Sequence, residues 1–187
     1  MNTYDFDKTL YYPDSSYKFI MYCTIKYPVI LKRLPKTVWT ALKYALKIVD
    51  TKTFKEQAFS FLQDLDDVDR DISDFWETNF PKIHPWYLEQ KRSDDIIISA
   101  SPDFLLKPVC EKLGVHLIAT RMDKKTGKMD GLNCHDKEKV RRFYEEFPNA
   151  HTENFYSDSF ADTPMAEIAD KAYMVIKEKI IDWPEKT

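Results

Sequence analysis

From Ile96 to Gly114 the chain reads IIISASPDFLLKPVCEKLG, an apolar β-branched run followed directly by a helical pattern. A short run with so little polar alternation suits a strand buried on both faces, as in a parallel sheet. Pro102 stands where a helix begins, Phe104, Leu105, Val109 and Leu113 share its face, and Gly114 is a stop. The unit then recurs. VHLIATRM (Val115 to Met122) reads as a strand, and DKKTGKMDG as a turn leading to a short return strand. A helix is expected from about Asp136 to Phe147, a strand near Asn154 to Tyr156, and a short helix from Thr163 to Ala169. Tyr173 to Ile176 reads as a last strand, and KEKIIDW as a closing helix or tail. With a short strand from Met1 to about Asp5, this alternation implies an α/β fold built on a parallel sheet.

Between the first two strands lies a helical block from about Tyr17 to Gln90, with joints expected at Pro28 and Pro35. Val38, Leu42, Ala45, Leu46 and Val49 fall on one helical face, and Ile72, Phe75, Trp76 and Phe80 repeat the pattern before Pro81. The block is expected to be an insertion. Its charge is segregated: Ser15 to Val49 holds seven lysines and arginines and no acid, in a chain of net charge -3. The acidic string DLDDVDRDISD lacks the central Gly and closing Glu of a calcium loop, so its carboxylates read as solvated helix ends. Cys23, Cys110 and Cys134 are widely spaced and odd in number, which fits a reducing compartment better than a disulfide framework. The four scattered histidines offer no zinc spacing. A signal peptide and an apolar run long enough to span a bilayer are both lacking, so a cytoplasmic location is expected.

In open parallel sheets, ligands bind beyond the C-terminal strand ends. Asp5 and Asp7 follow the first strand, Ser99 ends the second, and Asp158 follows a later one, so all four should meet in one crevice. Two carboxylates that close repel unless something uses them. Asp5 and Asp158 suit a hard cation such as Mg2+, which takes oxygen ligands. Ser99 and Lys139 can hold phosphate oxygens by hydrogen bond and by charge. An ionised aspartate can attack phosphorus, and a second carboxyl two residues on can protonate the leaving oxygen and later deprotonate water.

These residues carry a family resemblance. DFDKTL resembles the DxDxT motif of the haloacid dehalogenase superfamily, and IIISAS its second motif, an apolar strand ending in Ser or Thr. EKVRRF resembles the lysine motif and SDSFAD the acidic DxxxD motif, all four in the family's order. The resemblance implies a Rossmann-like core, residues 1–14 and 95–187, with a helical cap at residues 15–94 like that of the phosphoserine-phosphatase-like subfamily. It implies Asp5 as nucleophile and metal ligand, and Asp7 as general acid/base with its main-chain carbonyl on Mg2+. Thr9 would orient Asp7, Ser99 and Lys139 would bind phosphate, Asp158 would ligate the metal, and Asp162 would support that site. Lys137 is the alternative to Lys139. The chain departs from the pattern where Lys8 replaces a frequent glycine, and where Ala100 and Ser101 replace the glycine pair typical of phosphoserine phosphatases. Read from Asp7, the letters DKT are similar to the P-type ATPase motif, but Leu10 and Tyr11 replace its Gly-Thr.

A Mg2+-dependent phosphomonoester hydrolase acting on a small phosphorylated metabolite is therefore expected. A lipid head-group phosphate, a phosphomutase reaction and a non-catalytic phospholigand-binding module are the alternatives, and no nucleic acid or protein partner is implied. The basic segment suits attraction to an anionic substrate or peripheral contact with anionic lipid. The default for such a segment is a helix pair with its apolar face packed inward and its lysines solvated.

Overall fold

The computed structural model describes residues 1–177 and 179–184. Six strands form one sheet: β1 (Thr3–Tyr4), β2 (Ile96–Pro102), β3 (His116–Thr120), β4 (Thr152–Ser157), β5 (Ala169–Ile176) and β6 (Lys179–Asp182). Their order is β3-β2-β1-β4-β5-β6, parallel except for β6, which runs antiparallel to β5. The α/β architecture expected from the alternation is the one observed. Both faces are covered, so the pleat sends Ile97 into one core and Ile96 and Ile98 into the other, which explains the unbroken apolar run.

Helices α1 (Ser15–Lys26), α2 (Leu34–Ala45), α3 (Thr51–Ala58), α4 (Val68–Asn79) and α5 (Pro85–Gln90) lie between β1 and β2. Pro28, Pro35, Pro81 and Pro85 each sit in the first turn of a helical segment, where the missing N–H costs nothing. Asp14, Asp50 and Asp67 cap α1, α3 and α4 by accepting main-chain N–H bonds. The inserted block shares one hydrophobic core with the sheet: Phe19, Cys23, Phe61, Phe75 and Trp76 belong to the same cluster as Tyr4, Phe6 and Ile97. Trp76 Nε1 also donates to the carbonyl of Leu105 at 2.6 Å, in α6 (Asp103–Leu113). Helices α7 (Lys137–Glu146) and α8 (Thr163–Ile168) cover the opposite face.

Three expectations need correction. The segment read as a closing helix or tail is β6, an edge strand, anchored by Trp183 against Phe155 and Phe160. The acidic string is not merely solvated. Asp64 pairs with Lys32 and Arg33, and the buried Asp71 pairs with Lys26 and accepts from the Tyr27 hydroxyl. Those pairs absorb part of the basic segment's charge. Third, the apolar ridge of α2 does not pack inward: Val38, Leu42 and Leu46 are exposed. Among the described residues, no helix is long and apolar enough to cross a membrane.

Candidate active site

Strand β1 lies at the centre of the sheet, with Tyr4 paired to Ile97 of β2 on one side and Tyr156 of β4 on the other. β2 and β3 are added on one side of β1 and β4 and β5 on the other, all parallel, and this switch in strand order opens a crevice past the C-terminal end of β1. Asp5 is the next residue, and its N–H donates to the carbonyl of Tyr156 at 2.8 Å. Phe6 turns the other way into the core against Trp76 and Tyr11, leaving Asp5 and Asp7 facing one cleft of about 520 Å³. Lys8 then has φ 61°, in the left-handed region where a glycine is at ease and a lysine is strained.

Lys139, on the first turn of α7, is fully buried and donates to Asp5 Oδ1 at 2.7 Å and Asp162 Oδ2 at 2.8 Å. Lys137 is exposed. Ser157 donates to the same Asp162 oxygen at 2.7 Å. Thr9 makes a long bond to Asp5 Oδ2 at 3.4 Å and accepts from the N–H of Asp158 at 3.0 Å, so it contacts Asp5 rather than Asp7. Asp7 accepts from the N–H of Ser15 at 2.6 Å and from the hydroxyl of Ser101. Ser99 accepts from the N–H of Ser101 at 3.1 Å, which leaves its own hydroxyl hydrogen to donate. Asp158 follows β4 and lines the cleft with Asp5, Asp7, Ser99 and Lys139.

The electrostatics follow from burial and an unequal count of charges. Burial lowers the stability of a charged lysine, yet Asp5 and Asp162 hold Lys139 protonated and above its ordinary value. One cation cannot neutralise both carboxylates. Burial pushes Asp5 up to about 7 against the pull of Lys139, with Asp162 adding repulsion. Asp7 is pushed up to about 6 by burial and by Asp14, and burial also raises Asp158.

The donor set is hard and oxygen-rich. Among the described residues no three His, Cys, Asp or Glu side chains converge closely enough to cage a metal alone. A hard cation such as Mg2+ takes oxygen ligands, keeps several waters and needs only one or two carboxylates. Asp5, Asp7 and Asp158 line the same cleft and offer oxygens of the kind such a cation takes.

Several contributors were not anticipated. Ser101, which stands where phosphoserine phosphatases typically have glycine, bonds Asp7 and shares a 2.8 Å hydroxyl contact with Ser16. Lys55 of α3 donates to the carbonyl of Ala100 and to Asn133 Oδ1, both at 2.7 Å, tying the inserted block to the end of β2. Burial pulls its ammonium down to about 8. A lone lysine on a helix carries no local signal of such reach. The inserted block contributes apolar and aromatic lining to the cleft through Tyr17, Ile20, Phe54, Ala58 and Phe59.

Comparisons with known proteins bear on the fold and the family. The family model for haloacid dehalogenase-like hydrolases matches residues 3–167. Protein CicA of Caulobacter vibrioides is 39% identical over 92 residues, spanning 45% of this chain and 41% of that protein's length. A solved protein of unknown function from Bordetella pertussis Tohama I superposes with a TM-score of 0.75 at 21% identity, covering 92% of this chain and 87% of that one. A probable phosphoserine phosphatase from Vibrio cholerae gives a TM-score of 0.67 at 13% identity, covering 91% of this chain and 55% of that one. At those identities the two structures speak for the fold, and the match over most of the sequence decides the family: the chain belongs to the haloacid dehalogenase-like hydrolases.

Proposed function

We propose that the chain is a phosphomonoester hydrolase acting on a small phosphorylated metabolite through an acyl phosphate on Asp5. The observation that supports this best is the pairing of a buried Asp5, held against Lys139 at 2.7 Å, with a second carboxyl at Asp7 facing the same cleft. In this reading an Asp5 oxygen attacks phosphorus while the ester P–O bond breaks. The leaving oxygen takes its proton from Asp7, whose affinity for protons is raised by burial and by Asp14. Asp5 is raised to about 7 without a metal, and a cation held beside it would favour its ionised form. Water then attacks the acyl phosphate, gives a proton to Asp7, and releases phosphate with Asp5 free again. Ser99 and Lys139 hold the phosphoryl oxygens, and Asp162 keeps Lys139 aimed at them. Asp5, Asp158 and the main-chain carbonyl of Asp7 would hold Mg2+, with Asp162 supporting that site, and the ion would supply charge neutralisation at the phosphoryl group.

The apolar cleft wall favours a second reading, a phosphate on an apolar leaving group such as a lipid head-group phosphate. A phosphomutase uses the same aspartate pair but returns the phosphoryl group to substrate. A pure binding module has no use for the proton carried by Asp7.

Phosphate release from p-nitrophenyl phosphate, a panel of phosphorylated metabolites and a short-chain phosphatidate is the direct test, with Mg2+ or EDTA. Turnover is expected to require Mg2+ and to fall at least about a thousandfold in Asp5→Asn, since the nucleophile is removed. Activity retained in Asp5→Asn, or full activity in EDTA, would overturn the mechanism. Isomerisation of a sugar phosphate without net phosphate release would favour the mutase.

A further inference from the structure

Helix α2 carries its apolar residues on the side away from the protein. Leu34, Val38 and Leu42 recur every four residues, so they form one ridge, extended by Leu31 and Leu46 and flanked by Trp39. Their exposures run from 48% to 62%. The side that meets the rest of the chain is small and hydroxylated. Thr40 is the helix's one buried residue, and Thr37 and Thr40 return their hydroxyls to the carbonyls of Arg33 and Lys36. A helix stabilised only by inward packing would show the reverse arrangement.

The charges around that ridge have the same one-sidedness. Lys26, Lys32 and Arg33 are matched by Asp71, Asp74 and Asp64. Among the described residues Lys36, Lys43 and Lys47 meet no carboxylate, and Lys43 lies over the Trp39 ring at 5.4 Å from its centroid. An exposed apolar ridge with a tryptophan beside it and unmatched lysines at its rim asks for an apolar, negatively rimmed partner. A second copy docked two-fold on the same face would set these lysines against their own images. The face also adjoins the cleft: a small groove bounded by Leu31, Leu34 and Thr37 shares Ile20 and Ala58 with it.

We infer that the outward face of α2 is a docking surface for an anionic lipid bilayer, with Leu34, Val38, Trp39 and Leu42 entering the interface and Lys36 and Lys43 meeting lipid phosphates. Apolar insertion supplies part of the affinity, and each lysine near an anionic surface adds about a further fivefold. This surface does not depend on which reaction the cleft performs.

The test is co-sedimentation of the intact chain with vesicles of phosphatidylcholine alone, or with about one part phosphatidylglycerol in four, at low and high salt. Two double variants accompany it, Val38→Asp with Leu42→Asp and Lys36→Gln with Lys43→Gln. Lys36, Val38 and Leu42 are exposed and Lys43 is half-buried over the Trp39 ring, and circular dichroism verifies that each variant is folded. Sedimentation velocity without lipid reports the oligomeric state. The native chain should partition onto the anionic vesicles at least about tenfold better than onto phosphatidylcholine, with each double variant losing about tenfold and high salt weakening the binding. The inference is overturned by equal partitioning onto both vesicle types or by full binding in both variants. A dimer that Val38→Asp with Leu42→Asp converts to monomer overturns it too, because a second copy would then cover the face.

Discussion

Lys139 faces two carboxylates at once, and burial with the repulsion of Asp162 raises Asp5 against the pull of that one cation. Burial raises the folded-state affinity of Asp5 for protons to about 7, and that of Asp7 to about 6. A carboxyl raised in the folded state stabilises the fold below its unfolded value, and that contribution is lost as pH rises through the folded value. The metal-free protein should accordingly become less stable between about pH 4 and pH 7, by a few kcal/mol at most. Urea unfolding in EDTA across that range measures it, and Asp5→Asn should flatten the slope and stabilise the protein at pH 8. An unchanged slope in Asp5→Asn would assign the effect to another group. Asp5, Asp7, Ser99 and Asp158 were legible as strand-end residues because chemistry at a parallel sheet gathers there. Ser101 and Lys55 were not, since a serine and a lysine gain meaning only from what folds against them. Lys8 shows the converse: the family's frequent glycine at this position has a physical reason in the left-handed φ of 61°.

At the scale of elements, the inserted block is tied to the sheet by close backbone approach as well as by side chains. Gly127, in the turn after β3, has φ +71°, and a Cβ there would lie 2.4 Å from the carbonyl oxygen of Phe59. Both the conformation and the contact require glycine. Gly127→Ala should cost about 2 kcal/mol or more, read as a lower urea midpoint with unchanged slope. A cost below a few tenths would mean that the turn and the inserted block separate easily. The elements legible in advance were those whose apolar period matched their burial, such as β2 and α6. The exceptions were α2 and β6. In α2 the period is helical but the apolar side faces out, and period alone does not say which side is covered. In β6 a short apolar pair inside charged residues fits either a helix end or an edge strand, and pairing with β5 decided it.

For the whole molecule, one hydrophobic cluster runs from the sheet through the inserted helices, joined by Phe6, Phe75 and Trp76 and by the Trp76 bond to Leu105. Helix and sheet should therefore unfold together. Far-UV circular dichroism and tryptophan fluorescence should give coincident urea transitions, and two separated transitions would show that the inserted block folds as its own unit. What the sequence determined by itself was the α/β alternation and the residues at the strand ends, because both are local: period sets the element, and chain direction sets where each strand stops. Only the tertiary structure decided that Lys139 spans Asp5 and Asp162, that Ser101 holds Asp7, that acids at 64 to 74 absorb cations at 26 to 33, and that α2 turns its apolar side outward. Each of these depends on residues far apart in the chain meeting across a shared core, and such meetings leave no periodic trace in the sequence.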